Sequence, residues 1–313
     1  MEAETRFRAM GSMVHVVVVG GSLGLLETAR ERVEDLERKW SRFRPTSEIS
    51  LMNQMAGRPV RVSPETATLV RLAIEGARIT GGLFDPTVLG AVLRAGYDRS
   101  FELLADETGD GSEEWPTESG YHGILVDESS RTVMLPANVG FDPGGIGKGY
   151  AADLVAAELL AHGASGVCAN VGGDLRVAGE APRGGWTVAI EHPFRKTPAV
   201  MVALDAGAVA TSTRTKRVWG TAGDRRHHLI DPATQAPAAT GLASATILAA
   251  EAWQAEVVAK GAFLAGLSEG LFLVAATGTE GLLIDDRGSV YPSFGLDRFT
   301  QRAPASSALG ATA

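Results

Sequence analysis

A lysine set among glycines is the part of this sequence best suited to holding an anion. Gly144, Gly145, Gly147 and Gly149 remove side chains from four of six consecutive positions. Backbone N–H groups there can close on a bulky phosphate, and Lys148 puts a cation beside them. Residues 150–163 read as a helix with Leu154, Ala157 and Leu160 on one side, which aims its positive end at the loop. Known nucleotide-binding patterns do not match: Lys148 is followed by Gly149 rather than Ser or Thr, and the glycines are not spaced G-x-G-x-x-G. A second bare stretch, Asn170-Val171-Gly172-Gly173-Asp174, arrives after one helix and a short strand over 166–169, so both glycine runs can line a single cleft.

Three further groups carry chemistry-bearing side chains. Thr211-Ser212-Thr213 with Arg214, Lys216 and Arg217 follow a strand over 208–210 and read as a solvated turn or as a phosphate-holding set. His227 and His228 are adjacent, and neighbours on a strand point opposite ways, so at most one faces a given site. Glu256 and Lys260 lie four apart on a helix over 251–265, the spacing of a surface ion pair worth a few tenths of a kcal/mol. Phe43, in a polar stretch over 41–53, suits either a core or a planar ligand.

The elements that would position these groups are helices and strands in irregular alternation. Residues 13–19 form a β-branched run that suits a strand covered on both faces, and 25–40 has Leu25, Ala29, Val33, Leu36 and Trp40 at helical spacing. Residues 63–80 begin at a Ser63 cap and end at Gly81-Gly82; Asp85 precedes a proline and Thr87 opens a short helix. A hairpin is expected over 124–126 and 132–135, then strands over 186–190, 201–204, 244–249, 271–275 and 282–284. The acidic segment 102–120 reads as a surface excursion and 301–313 as a disordered tail. This mixture predicts an α+β or irregular α/β fold rather than a parallel barrel.

With 313 residues, 45% hydrophobic and 21% charged, the chain has the makeup of a soluble globular protein, and a net charge of -8 argues against a nucleic-acid surface. A single cysteine, Cys168, excludes an intrachain disulfide and a cysteine-cluster metal site, and reads as a buried thiol. Neither a signal peptide, a lipobox nor a membrane span is visible, so a cytoplasmic location is expected.

Taken in order, the pieces resemble the ApbE family of FAD:protein FMN transferases. The resemblance rests on Met10-Gly11-Ser12, Ser41-Arg42-Phe43 with Ser47-Glu48-Ile49 and Asn53, and Phe84-Asp85-Pro86-Thr87. It continues through Gly144 to Tyr150 with Asp153, Asn170 to Asp174, Ala210-Thr211-Ser212, His228 to Pro232 and Ala255-Glu256. It implies one domain over 1–300 with two interlocked lobes, mixed and antiparallel sheets flanked by helices, and FAD in the cleft between them. It also implies transfer of FMN to a Thr or Ser hydroxyl of an acceptor protein, with release of AMP. By that likeness Met10, Phe43, Asp85, Gly144, Tyr150 and Ile230 touch FAD, and Gly172, Gly173, Asp174 and Thr211 line the same cleft. The Gly147 carbonyl reaches a magnesium ion in such proteins. Lys148 neutralises the pyrophosphate, while His228 or Asp231 accepts or positions the acceptor proton.

One departure stands out. The resemblance implies Ala-Asp with a threonine four residues after the aspartate as magnesium ligands, where this chain has Glu256 and Lys260. Glutamate still offers oxygens to a hard cation; protonated lysine cannot ligate one. Lys260 can instead place its ammonium in the metal position, paired with Glu256. Three activities stay open: FMN transfer, FAD binding without transfer, and hydrolysis of FAD to FMN and AMP.

Overall fold

The computed structural model describes residues 2–101, 104, 116, 118–221 and 225–300. The segment 102–120 falls largely outside these, and the tail 301–313 wholly outside. The strands are β1 Glu2–Ala9, β2 Ser12–Val19, β3 Pro59–Arg61, β4 Leu125–Asp127, β5 Thr132–Met134, β6 Gly166–Val171, β7 Asp174–Gly179, β8 Trp186–Ile190, β9 Val200–Leu204, β10 Gly207–Thr213, β11 Val218–Trp219, β12 Arg226–His227, β13 Ile230–Asp231, β14 Ala236–Pro237, β15 Leu242–Ala249, β16 Glu280–Asp285 and β17 Val290–Pro292. The helices are α1 Gly24–Trp40, α2 Glu48–Gln54, α3 Pro64–Ile79, α4 Leu89–Arg94, α5 Gly147–Ala161, α6 Ala252–Ala265, α7 Leu267–Ala276 and α8 Asp297–Thr300.

Eight strands build the main sheet in the order β1-β2-β6-β7-β10-β15-β16-β17, each pair antiparallel. Among the described residues, parallel pairing occurs only at two isolated bridges, Val88 to Gly140 and Glu118 to Val139. Period-two alternation sorts the sheet residues onto two cores. Val14, Val16, Val167, Ala169, Ala208 and Ala210 face α1 and α5, while Val17, Cys168, Val177 and Val209 face the β8–β9 hairpin. Cys168 is buried there, and burial pushes its thiol up to about 12, so the thiol is inert.

A further core joins the end of α1 to α2, α3, α5 and the three-stranded sheet β3-β5-β4. Ser63 caps α3 with Pro64 in its first turn, as read from sequence. The Glu48 carboxylate then accepts from Ser63 N (2.9 Å) and Ser63 Oγ (2.7 Å), tying α2 to α3. The α+β reading holds, and no described helix is long and apolar enough to cross a membrane.

Several elements differ from expectation. Residues 271–275 lie in helix α7 rather than a strand, because the apolar run Leu271-Phe272-Leu273-Val274 fits either period and its packing on α6 decides. The stretch 41–53 runs into α2, Glu48–Gln54, capped by Ser47. The helix after Thr87 begins at Leu89, since the Asp85 carboxylate accepts from both Thr87 N (2.7 Å) and Thr87 Oγ1 (2.5 Å) in a turn. Thr211 to Thr213 continue β10 instead of turning away from it. Helix α5 starts at Gly147 and buries Ala151, Ala152, Val155, Ala156 and Leu159, whereas Ala157 is exposed. That helix is apolar nearly all round, so its pattern could not select the buried face.

Helices α5 and α6 meet backbone to backbone at Gly149, where an added Cβ would stand 2.3 Å from the Ala252 carbonyl oxygen. Replacing Gly149 by Ala therefore forces two helices apart and should cost about 1–3 kcal/mol. Urea unfolding of Gly149→Ala checks this; unchanged stability would mean the crossing is not tight.

Candidate active site

The cleft opens where two tight turns end the main sheet, between that edge and the core that contains α2 and α3. Met10-Gly11 joins β1 to β2, and Gly172-Gly173 joins β6 to β7, with Gly172 N donating to the Met13 carbonyl at 2.9 Å. Met10 carries a φ of 52°, a left-handed conformation that a non-glycine residue adopts at a cost. The cleft is open to solvent at its mouth and holds about 190 Å³ of interior space.

The structure brings most of the sequence candidates together here. Met10, Phe43, Gly144, Gly147, Lys148, Asp174, Thr211, His228, Glu256 and Lys260 all line the cleft. Asp85, Tyr150, Gly172, Gly173, Ile230 and Asp231 stand outside its lining. Tyr150 stacks on Trp40, which does line it, at 5.6 Å between ring centroids. Ile230 is buried behind Phe43. Asp85 spends its carboxylate on the Thr87 turn, and Asp231 accepts from Ala233 N at 2.8 Å. Gly173 N donates to Asn170 Oδ1 at 2.8 Å, which fixes the turn beside Asp174.

The glycine loop works differently from its sequence reading. Its amides are already engaged: Gly144 N donates to Asp142 Oδ1 (2.9 Å), Gly145 N and Gly147 N to the Pro143 carbonyl (both 2.9 Å), and Gly149 N to Glu256 Oε2 (2.7 Å). An anion at the start of α5 is thus supplied by Glu256 itself. Lys148 Nζ donates to Glu256 Oε1 at 3.2 Å and pairs with Asp174 Oδ2. Burial alone would lower the Lys148 pKa, but Asp174 and Glu256 more than offset it and hold the ammonium above the ordinary lysine value. Burial raises the Asp174 carboxyl, with Lys148 opposing.

Glu256 and Lys260 are not a surface pair. Both are 5% exposed, and they do not pair with each other: Lys260 Nζ donates to the Gly144 carbonyl at 2.9 Å. Its stem lies against bare backbone, since a Cβ on Gly145 would meet Lys260 Cδ at 2.8 Å. Burial lowers the Lys260 pKa, with Asp142, Glu256 and Asp85 pulling the other way. The donor set does not fit a hard divalent ion. Lys260 brings an ammonium into the site, donating to the Gly144 carbonyl, both Glu256 oxygens are held by N–H donors, and among the described residues no three His, Cys, Asp or Glu side chains cluster to hold a metal.

Of the basic group after β10, Arg214 pairs with Asp286 and Lys216 with Glu191, at 2.7 Å for the latter, whereas Arg217 lines the cleft and donates to Ser12 Oγ at 3.3 Å. His227 and His228 diverge as alternation requires. His227 Nδ1 accepts from Leu229 N at 3.3 Å, its Nε2 lies 3.1 Å from the Ala238 carbonyl, and its ring meets Phe263 edge-on. His228 faces the cleft with its Nδ1 buried and without a partner.

The sequence placed Trp40 only on the apolar face of a helix, gave Tyr97 and Asp142 no role at the site, and offered Arg42 only as part of a motif. Arg42 lies over the rings of Phe43 (4.1 Å) and Tyr97 (4.5 Å), leaving a buried Nη2 without a partner. Asn53 pins the segment that carries Asp142, donating to the Phe141 carbonyl (2.9 Å) and accepting from Phe141 N (2.7 Å). A lone tyrosine such as Tyr97 offers no spacing signal; Asp142, two residues before Gly144, was visible as an Asx-turn former.

Burial, then the Arg217 and Lys260 charges, hold His228 well below the ordinary 6.5, so its ring is neutral and able to accept a proton at pH 7. An NMR titration should place its midpoint below 6.5. Arg217→Ala should raise that midpoint, because removing a like charge lets the ring keep its proton to higher pH. A wild-type midpoint at or above the ordinary value would contradict the burial.

The family model described as "ApbE family" matches residues 10–283. The FAD:protein FMN transferase of Treponema pallidum is 28% identical over 267 residues, covering 80% of this chain and 73% of that protein. The FAD:protein FMN transferase of Vibrio cholerae is 27% identical over 285 residues, covering 88% and 85%. Among solved structures, the ApbE protein of Thermotoga maritima superposes with a TM-score of 0.86 at 29% identity, over 96% of this chain and 99% of that one. The flavin transferase ApbE of Vibrio cholerae gives 0.80 at 25%, with the same coverage.

Proposed function

The chain belongs to the ApbE family, and from that membership and the cleft's chemistry we propose that it transfers FMN from FAD to a Thr or Ser hydroxyl of an acceptor protein, releasing AMP. Relatives bearing the name FAD:protein FMN transferase run along most of its length. The observation that carries the reading is the meeting of three cations, Lys148, Lys260 and Arg217, with a neutral His228 in one cleft. We read residues 1–300 as one domain of two interlocked lobes with FAD between them.

The reaction asks the acceptor oxygen to attack the FMN phosphorus while the bond to the AMP phosphate oxygen breaks. Negative charge grows on the departing AMP and on the phosphoryl oxygens, where fixed cations stabilise it most. His228, unprotonated and facing the cleft, is placed to take the hydroxyl proton. The aromatic patch of Phe43 and Tyr97 under Arg42 offers the flavin a stacking surface. Asp231, turned toward Ala233 N, shapes the loop after His228 rather than moving the proton. Magnesium enters no step, because both Glu256 oxygens are held by N–H donors and position 260 carries an ammonium.

Purified protein mixed with FAD and a peptide bearing an acceptor threonine should raise the peptide mass by one FMN, with and without EDTA. Free AMP without a labelled peptide would replace this reading by FAD hydrolysis, and bound but intact FAD by a binding protein. Lys260→Thr with Glu256→Asp should make labelling fall about tenfold or more on chelation, since a lost fixed charge must then come from a bound ion. Equal labelling with and without chelator in that variant would remove Lys260 from the charge-neutralising role.

A further inference from the structure

Strand β10 is paired unevenly on its two sides. Toward β15 it is covered from Ala208 to Thr213, but toward β7 only from Gly207 to Val209, because β7 begins at Asp174 after the Gly172-Gly173 turn. Backbone groups alternate between the two sides of a strand. Arg214 N donates to the Ala243 carbonyl at 3.2 Å, so even-numbered residues face β15. Thr211 N points the other way, toward Asp174 Oδ1 at 3.4 Å, and Thr213 shares that direction. Among the described residues no strand lies beside Thr211 to Thr213 on this side.

A groove runs along this free edge. Leu175, Val188, Ile190, Pro193 and Val209 make its apolar wall, and Ser244, 3% exposed, carries a buried hydroxyl without a partner beside it. Thr211 lines both the groove and the catalytic cleft, so the two adjoin at that residue. Unpaired backbone groups above alternating apolar and hydroxyl side chains are what an added strand requires.

We propose that the acceptor protein docks by adding an extended segment to β10 at Thr211–Thr213. The Thr213 N–H and C=O hold its backbone, the groove takes alternate side chains, and the segment's hydroxyl residue passes over Thr211 into the cleft. This rests on the transferase reading for the identity of the occupant.

The test uses full-length protein, FAD and a pool of synthetic peptides, each with one central threonine. Thr213→Pro removes the edge N–H, and its missing donor lies on the side away from β15; Thr213→Val keeps the N–H while losing the hydroxyl. Thr213→Pro should bind FAD as tightly as wild type yet show about a tenfold higher KM for labelled peptides, with Thr213→Val close to wild type. Wild-type KM in Thr213→Pro overturns the proposal. Amide exchange reads docking whether or not FMN moves: the pool should slow exchange at Thr213, and no protection there overturns the proposal. Protection without labelling by wild type would instead count against the transferase reading alone.

Discussion

The Glu256 carboxylate holds the site together. It sits at the N-terminus of α5, takes the Gly149 amide on one oxygen and Lys148 on the other, and projects from α6. A buried carboxylate left alone would be costly, and here the helix end and an ammonium offset that cost from two directions. The contact is possible only because Gly149 lets α6 approach the α5 backbone. Asp153 reinforces the crossing from the other helix, accepting from Ala252 N and Trp253 N, each at 2.9 Å. Burial outweighs those two hydrogen bonds and raises the Asp153 carboxyl to about 6.

From this knot follows the electrostatic character of the cleft. Lys148 is balanced by Asp174 and Glu256, so an anion entering the cleft would have to share it with two acids rather than find a free cation. Arg217 and Lys260 carry charge that these two acids do not absorb directly. Lys260 brings a single charge on a stem packed against Gly145. The protonation of that ammonium depends on pH. Its lowered pKa means that charge is lost at a lower pH than for an exposed lysine.

The amphipathic helices α1 and α3 were legible because one face of each meets a core, and Ser63 followed by Pro64 marked a start. Strand β1 was not, since an edge strand with Glu2, Glu4, Arg6 and Arg8 on it hides the β pattern behind charges that guard the edge. Helix α7 was misread because a short apolar run has no period of its own. At the site, residue types were readable but partners were not. Glu256 and Lys260 at four-residue spacing predict contact with each other, and only the packing of α6 on α5 sends them to Lys148 and Gly144 instead. Tyr97 and Arg42 reach the cleft from segments whose spacing carries no signal for it.

The early reversal of the chain at Gly172-Gly173 has two effects that belong together. By starting β7 only at Asp174, it puts that carboxylate within reach of Lys148 and Thr211 N, at the floor of the cleft. By the same shortening it leaves the outer half of β10 unpaired. Open sheet edges favour uncontrolled pairing between chains, and this sheet guards its outer edge at β1 with charge. An interior strand bared over three residues, beside a buried unpartnered hydroxyl and leading into the cleft, is too short to template aggregation. It is long enough to fix the register of one extended segment, and a transferase that must present a single hydroxyl to a buried phosphorus needs its acceptor's register fixed.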